Sequence, residues 1–531
     1  MARKEITTKE PPVLGQDPRR FALSIFLQAV VLGIVVYQMR QGGTLTAITN
    51  YAQALNPWST PCGLLPHKEF FLVSDNVVLP SGAFPGYVHV RGQSIVSVTT
   101  GRPGADRLSL VKWRAEANPR AAVMDYGPAY VAPGLIDVHV HLNTPGRDDW
   151  EGVGPGTAAA AAGGLTTVID MPLNSDPCTV SAKELRGKRA ASRGNTEVDL
   201  GAWGGIVPAN ARDPGTLRAM RRAGALGFKS FLSPSGMHCF PNVSLDDVAA
   251  ALPVVKALGV PYLIHAELVD ADVPSGGDPR SFADFLERRP ARFEHRAVRA
   301  LIDLLRKDSS PYEPGFSLHI VHLVSSSLLP ELAAAKAEGL PLTVETAPHY
   351  LLFSSEDVAD GDTRFSCMPP IRSAANREGL WAGVADGTID VVASDHSPSP
   401  PHMKRLEDGD FTAAWGGIAG LQYSLPASWD GAIKRGVNVS RLFDAWAARP
   451  AALAGLARKG KLRAGYDADV VVFDGEELAD TGELERRHRH KVTPYDGVQL
   501  RGRVLATFVR GQMVFSADQG VSPDRCGKLL P

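Results

Sequence analysis

Apolar residues in this chain follow different rhythms in different regions. From Phe70 to about Asp125 they form short alternating runs, Phe70-Phe71-Leu72-Val73, Tyr87-Val88-His89-Val90 and Ser94-Ile95-Val96-Ser97-Val98. This is the period of half-buried strands. Similar runs return only near the carboxyl end, at Asp469-Val470-Val471-Val472-Phe473 and Val504-Leu505-Ala506-Thr507-Phe508-Val509-Arg510-Gly511. Together they predict one small β-sandwich built from both chain ends, over residues 66–132 and 451–531. Between them, over 133–450, apolar runs alternate with Ala/Leu-rich helical stretches, the βαβα pattern of a parallel sheet. Candidate strands fall near 135–142, 166–173, 199–207, 227–232, 261–267, 318–324, 341–347 and 389–395. Eight strands with helix-length intervals predict an α/β fold, a (β/α)8 barrel of the TIM type.

A different pattern occupies Phe21–Tyr37, 17 residues polar only at Ser24 and Gln28. As a helix it would be roughly 26 Å long at ~1.5 Å per residue, at the short end for a membrane span. Arg3, Lys4, Lys9, Arg19 and Arg20 precede it, and only Arg40 stands in the stretch that follows. The positive-inside rule leaves residues 1–20 as a cytosolic tail and sends the rest, after a Gly/Pro-punctuated linker over 38–65, into the lumen. Signal-anchor, cleaved signal and ordinary apolar helix are the competing readings. Gln38-Met39-Arg40-Gln41 offers no small residues for cleavage, and Glu5, Glu10 and Asp17 count against an organellar presequence. A membrane-associated amino terminus on the secretory route is the expectation.

Charge and composition narrow the classes. Lys+Arg 56 against Asp+Glu 57 leaves a formal net charge of −1, so no global field points to nucleic acid. The 52 glycines and 40 prolines are spread along the chain, as suits an enzyme with many short turns. Five cysteines are too few for a disulfide scaffold, and no Cys-x-x-Cys pair occurs.

The chemistry concentrates where the candidate strands end. In Leu135-Ile136-Asp137-Val138-His139-Val140-His141-Leu142 the two histidines stand at i and i+2, so both reach one side of a strand. The chain holds a second His-x-His, His488 and His490, inside the cationic run Arg486–Lys491, which reads as solvated surface. Lys229 lies on the fourth strand, His265 ends the fifth, His322 the sixth, and Asp395 the eighth. Barrel enzymes carry their chemistry at this carboxyl-terminal face. A lone histidine on an apolar strand is usually a hydrogen-bonded core residue, but this set converging at one end is a candidate metal centre.

These residues and their surroundings resemble the cyclic-amidohydrolase branch of the amidohydrolase superfamily, and within it the plant-type allantoinase family. The resemblance covers roughly residues 62–526. It is carried by Pro133–His141, Met171-Pro172-Leu173-Asn174-Ser175, Phe228-Lys229-Ser230-Phe231, Val321-His322-Leu323, Glu345–Leu351, Cys367-Met368-Pro369-Pro370-Ile371-Arg372 and Ser394-Asp395-His396-Ser397-Pro398. It implies two divalent metal ions per subunit, zinc ordinarily and manganese as the alternative. His139, His141 and Asp395 would hold one ion and His265 and His322 the other, bridged by Lys229 modified with CO₂ to a carbamate. A metal-bridged hydroxide would open the hydantoin ring of allantoin, a small-molecule substrate, to allantoate, with Asp395 as catalytic base and then acid. The family also implies a homotetramer and residence in the endoplasmic reticulum.

Substrate choice divides the branch. Dihydroorotases carry a carboxylate-gripping arginine two residues after the second metal histidine, where this chain has Asn143. Their asparagine follows Met-Pro directly, whereas Leu173 intervenes here before Asn174. Asn174 and Ser397, with backbone at Pro369 and Pro370, are the expected substrate contacts, although Asn174 reads equally well as a turn residue. Arg147 stands near the mouth without an assigned role. Dihydropyrimidinase or hydantoinase activity is the alternative, and a non-catalytic scaffold is disfavoured because every ligand position is filled. Cys62 and Cys526 flank the two halves of the sandwich, so a disulfide between them is expected if the domain is lumenal. Asn242-Val243-Ser244 and Asn438-Val439-Ser440 are glycosylation acceptors on paper.

Overall fold

The run beginning at Phe70 forms β1 (Glu69–Leu79), which pairs antiparallel with β2 (Gly82–Arg91), itself paired antiparallel with β3 (Ser94–Thr100). The computed structural model describes residues 62–531 apart from 66, 271 and 275, so the Phe21–Tyr37 segment and most of the expected linker lie outside the described residues. Two short strands, β4 (Ala122–Asp125) and β5 (Tyr130–Pro133), lie parallel to successive halves of β1. An unexpected element intervenes: a helix over Arg107–Ala117, capped by Asp106, that buries only Val111. Its weak apolar periodicity hid it among the strand signals.

At Gly134 the chain crosses from this sheet into the barrel. A Cβ there would lie 2.2 Å from the Thr166 methyl group, so only glycine lets the two layers approach. The barrel follows: β6 (Leu135–Val140), β7 (Leu165–Asp170), β8 (Asp199–Ala202) with its continuation β9 (Gly204–Gly205), β10 (Phe228–Phe231), β11 (Tyr262–His265), β12 (Leu318–Ile320), β13 (Leu342–Thr346) and β14 (Val391–Val392). Adjacent strands pair in parallel throughout. The ring closes where Val140 bridges His396 and the His141 N–H donates to the His396 carbonyl at 2.8 Å. Counting β8 and β9 as one interrupted strand gives the eight expected positions. Every residue of β6 and β7 is buried, as strands covered on both faces require.

Outer helices start and stop on local signals. Leu245–Leu258 begins at a Ser244–Asp247 capping box and ends at Gly259, whose φ is 59°. Arg292–Lys307 turns Phe293, Ala297, Val298, Leu301, Ile302 and Leu305 inward, the stripe of a 3.6-residue period. The eighth strand is shorter than its apolar run, because the Ser394 N–H donates to the Asp137 carboxylate instead of a ladder carbonyl.

After the barrel come β15 (Val470–Asp480), β16 (Gln499–Val509), β17 (Gln512–Ser516) and β18 (Gly520–Val521). β15 pairs antiparallel with β5, so strands from both chain ends share a nine-stranded sheet in the order β18-β17-β16-β15-β5-β1-β2-β3, with β4 on β1. The sandwich is this one sheet folded over. Phe70 of β1 and Phe508 of β16, with two strands between them in the order, bring their rings within 5.6 Å. The Ile95 N–H of β3 donates to the Tyr466 carbonyl just ahead of β15.

A buried knot of charge fastens the last segments to the barrel. Asp199 opens β8 and accepts from Lys459 Nζ at 2.8 Å, from the Arg510 guanidinium and from the Lys528 N–H. Lys459 also pairs with Asp469, and Arg510 donates to the Cys526 carbonyl. Cys526 is disulfide-bonded to Cys62, as expected, and the structure adds a second bond, Cys178–Cys239. Cys367 is buried and unbonded.

Asp199→Asn leaves the buried Arg510 guanidinium without its carboxylate, and the expected loss of unfolding free energy is about 3–5 kcal/mol, measured by chemical denaturation. Unfolding without reductant should expose one alkylatable thiol per chain, and mass mapping should find Cys62 joined to Cys526 and Cys178 to Cys239.

Candidate active site

His139 on β6 and His141 just past its end face the start of the Asp395 turn. Their Nε2 atoms lie 3.2 and 3.7 Å from Asp395 Oδ1. One ligand atom from each of the three falls within 4.8 Å of the others, all buried, which is a donor set that could hold a metal ion. Burial alone would raise the Asp395 pKa, but the rings of His139, His141 and His322 hold it well below the usual carboxylate range.

A second set sits beside the first. His265 ends β11 and presents Nδ1 to His322 Nε2 at 2.9 Å, while the His139 and His322 rings lie 5.4 Å apart. Phe231 stacks on the His265 ring at 4.3 Å. Lys229 points into the same dry region from β10, its Nζ 4.9 Å from the Phe231 ring centre and without a hydrogen-bond partner. Burial lowers its pKa to about 7, with Glu345 and Asp395 pulling the other way. A neutral, unpartnered amine is the form that attacks CO₂, so Lys229 fits a carbamate and the histidine–carboxylate set fits divalent ions.

Sequence reading missed the acids that aim these rings. Glu345 on β13 accepts from His139 Nδ1 at 2.7 Å, which leaves Nε2 free to coordinate, and also accepts the His322 N–H at 3.1 Å. Burial works against its ionisation, yet the His139 and His319 contacts bring its pKa down to about 2. Asp137 accepts the His139 N–H at 2.9 Å on one oxygen and the Ser394 N–H at 3.1 Å on the other. Glu267 lies 3.0 Å from His265 Nε2 and accepts from Arg289 at 2.5 Å. The available signal was an acid inside a wholly apolar strand, since a carboxylate is buried only with partners. Backbone geometry marks the same place: Asn143, Asn174, His322 and Asp395 all have positive φ, between 37° and 68°.

These groups border a cavity of about 330 Å³. Asn174 lines it, and its amide lies 3.1 Å from His141 Nδ1. The atom nearest Nδ1 is the amide nitrogen and the amide oxygen has no partner; a His141 with a free Nε2 carries its proton on Nδ1, which the amide turned by 180° would accept. Ser397 lines the cavity too, with Oγ donating to Asp395 Oδ1 at 3.2 Å. Pro369 and Pro370 do not. Both are buried, the Pro369 carbonyl accepts the Tyr350 hydroxyl at 2.6 Å, and the neighbouring Met368 reaches the cavity instead. Asn143 is fully buried behind the wall, so its place in the sequence removes an arginine without adding a contact. Arg147 acts at one remove: it lies over Trp150, whose ring meets Trp415 of the cavity lining edge-on at 4.9 Å.

The expectation of a solvated 486–491 run is corrected at His488; Arg489 and Lys491 are exposed as expected. His488 is 1% exposed, its ring 6.3 Å from that of His396, next to Asp395. The backbone beside His488 is tied to the barrel by the buried carboxylate of Glu151, which accepts the Arg489 N–H, while the Arg489 side chain donates to the Glu151 carbonyl at 2.6 Å. Burial, together with His396 and the neighbouring cations, pushes the His488 pKa down to about 3.

Residues 130–514 match the model of the amidohydrolase family, and residues 65–129 match the composite domain of allantoinase. The chain is 44% identical to an allantoinase of Arabidopsis thaliana, over 88% of this chain and 92% of that one. It is 41% identical to an allantoinase of Streptomyces avermitilis, over 87% and 98%. Among solved structures it is similar to the L-hydantoinase (dihydropyrimidinase) from Arthrobacter aurescens, with a TM-score of 0.75 and 25% identity, over 87% of this chain and 99% of that one. The chain belongs to the amidohydrolase family, on the branch formed by the allantoinases.

Proposed function

We infer that the chain is a cyclic amide hydrolase that opens the hydantoin ring of allantoin to allantoate. The observation that carries this is the convergence of four histidines, Asp395 and Lys229 at one barrel end, in a chain similar to allantoinases over most of its length. His139, His141 and Asp395 would hold one divalent cation and His265 and His322 a second, with Lys229 as the bridging carbamate. Bound there, zinc or manganese would supply a hydroxide at neutral pH and polarise the scissile carbonyl.

The chain's own groups do the remaining work. Asp395 accepts the proton of the attacking water on its carboxylate and passes it to the departing ring nitrogen. Glu345 keeps His139 in the tautomer with a free Nε2, and Asn174, with its amide turned oxygen-first, would do the same for His141. Ser397 Oγ holds Asp395 Oδ1 in orientation, and Asn174 and Ser397 offer polar contacts to the ring. Met368 and Trp415 make the drier side of the cavity. Arg289 also lines the cavity, but its guanidinium is paired with the buried Glu267 carboxylate, so it is not free to stand in for the arginine missing at Asn143.

The secretory-route reading, with a lumenal domain in the endoplasmic reticulum and an amino-terminal anchor, is supported by the Phe21–Tyr37 pattern and by two disulfides, which persist in oxidising compartments. The homotetramer rests on the family resemblance alone.

Offered allantoin, dihydroorotate and hydantoin side by side, the protein should open allantoin fastest; preference for dihydroorotate would overturn the substrate reading. Chelation should abolish turnover, and a divalent ion with bicarbonate should restore it. Lys229→Met should lower kcat by about 10³-fold or more, the scale for losing a group on which reacting charge depends. Asn174→Ala should cost about 10–100-fold in activity or metal affinity, as loss of a histidine-orienting partner does.

A further inference from the structure

One wall of the cavity is the segment Thr412–Gly417, and Met368 belongs to a second segment beside it. Neither is strand or helix, so no ladder fixes their backbone groups. Lys404, at the end of a short turn over Pro401–Lys404, reaches both. Its Nζ donates to the carbonyls of Ser366 at 3.1 Å, Trp415 at 3.0 Å and Gly417 at 2.8 Å. These three bonds use every N–H of an ammonium.

The same residues are stitched a second time. The Gly417 N–H donates to the Ser366 carbonyl and the Trp415 N–H to the Met403 carbonyl, each at 2.8 Å. Ser397, two residues from Asp395, donates its N–H to the Ile418 carbonyl at 3.0 Å. Gly417 lies so close beneath Ser397 that a Cβ would come 2.3 Å from its carbonyl oxygen. The grip on Gly417 therefore sets where Ser397 stands.

The side chain is buried, and no carboxylate is among its hydrogen-bond partners. Burial brings its pKa down to about 8, with Cys367 and Asp362 pulling the other way. A methionine would fill that space without the desolvation cost of a charge. What methionine lacks is a three-way hold on carbonyls of two irregular segments.

We propose that Lys404 is a positioning residue of the ring-opening reaction, its three hydrogen bonds fixing the Trp415–Gly417 backbone and the Ser366–Met368 segment as the wall against which substrate is held. This rests on the reading of the cavity as the site of allantoin hydrolysis.

Lys404→Met should lower kcat/KM for allantoin by about tenfold or more, carried mostly by KM, with metal content as in the wild type. Hydrogen exchange in the peptide spanning 411–420 should quicken while the barrel strands keep their protection. In Lys404→Ala, added propylammonium should recover part of KM because it restores three N–H donors, whereas tetramethylammonium, with the charge and no N–H, should not. Unchanged KM and unchanged exchange over 411–420 would overturn the proposal. So would a uniform loss of protection and melting temperature that propylammonium does not relieve. A wild-type protein that opens no allantoin would remove the activity reading, and the exchange measurement would still decide whether Lys404 holds the wall.

Discussion

Asp137 stands with its carboxylate fully buried at the seam where the first and eighth barrel strands meet, and each of its oxygens takes an N–H from a different side. Burial pushes its pKa up to about 6 despite those two bonds, so desolvation outweighs hydrogen bonding there. The backbones it joins are those of His139 and Ser394, the second of which is followed by Asp395. One residue further on, the His141 N–H meets the His396 carbonyl. The spacing between the first two histidines and the aspartate is thus fixed by barrel closure rather than by loops, which favours a site needing sub-ångström geometry.

Around that seam the chemistry is layered outward. The rings facing the cavity are aimed by Glu345 and Glu267, and these acids in turn touch His319 and Arg289. Each layer is dry, so each unpaired atom is costly. Lys229 Nζ, His322 Nδ1, Glu267 Oε1 and Arg289 Nε are buried without partners, and of these Lys229 is the nucleophilic amine that fits a carbamate. Positive φ at His322 and Asp395 belongs to the same pattern: the chain leaves its strand abruptly so that the side chain, not the next amide, faces the cavity.

Much of this was legible in the sequence because it lay in single runs. Each of the histidines, Lys229 and Asp395 ends or interrupts an apolar stretch, and strand periodicity gives their side and their end. Contacts that depend on two distant runs were not legible. Glu345 is 206 residues from His139, and nothing local distinguishes it from a surface glutamate except its apolar neighbours. The run around His488 looked solvated because its charges are local, whereas the buried Glu151 that ties its backbone to the barrel lies 338 residues away from Arg489. Cys178 and Cys239 meet only because loops after different strands turn toward each other. The Thr412–Gly417 wall has no period at all, so only tertiary hydrogen bonds define it.

The pairing of β5 with β15 has a consequence for how the molecule is made. On a ribosome, Tyr130–Pro133 emerges early, and its antiparallel partner Val470–Phe473 follows roughly 340 residues later, on the order of tens of seconds at ordinary elongation rates. Until then β5 carries an open, apolar edge, the template on which nascent chains aggregate. The interval is filled by synthesis of the entire barrel, so the edge is sealed only after the metal-ligand strands exist. Quality control that reads exposed strand edges would therefore pass this protein only once its catalytic half is complete.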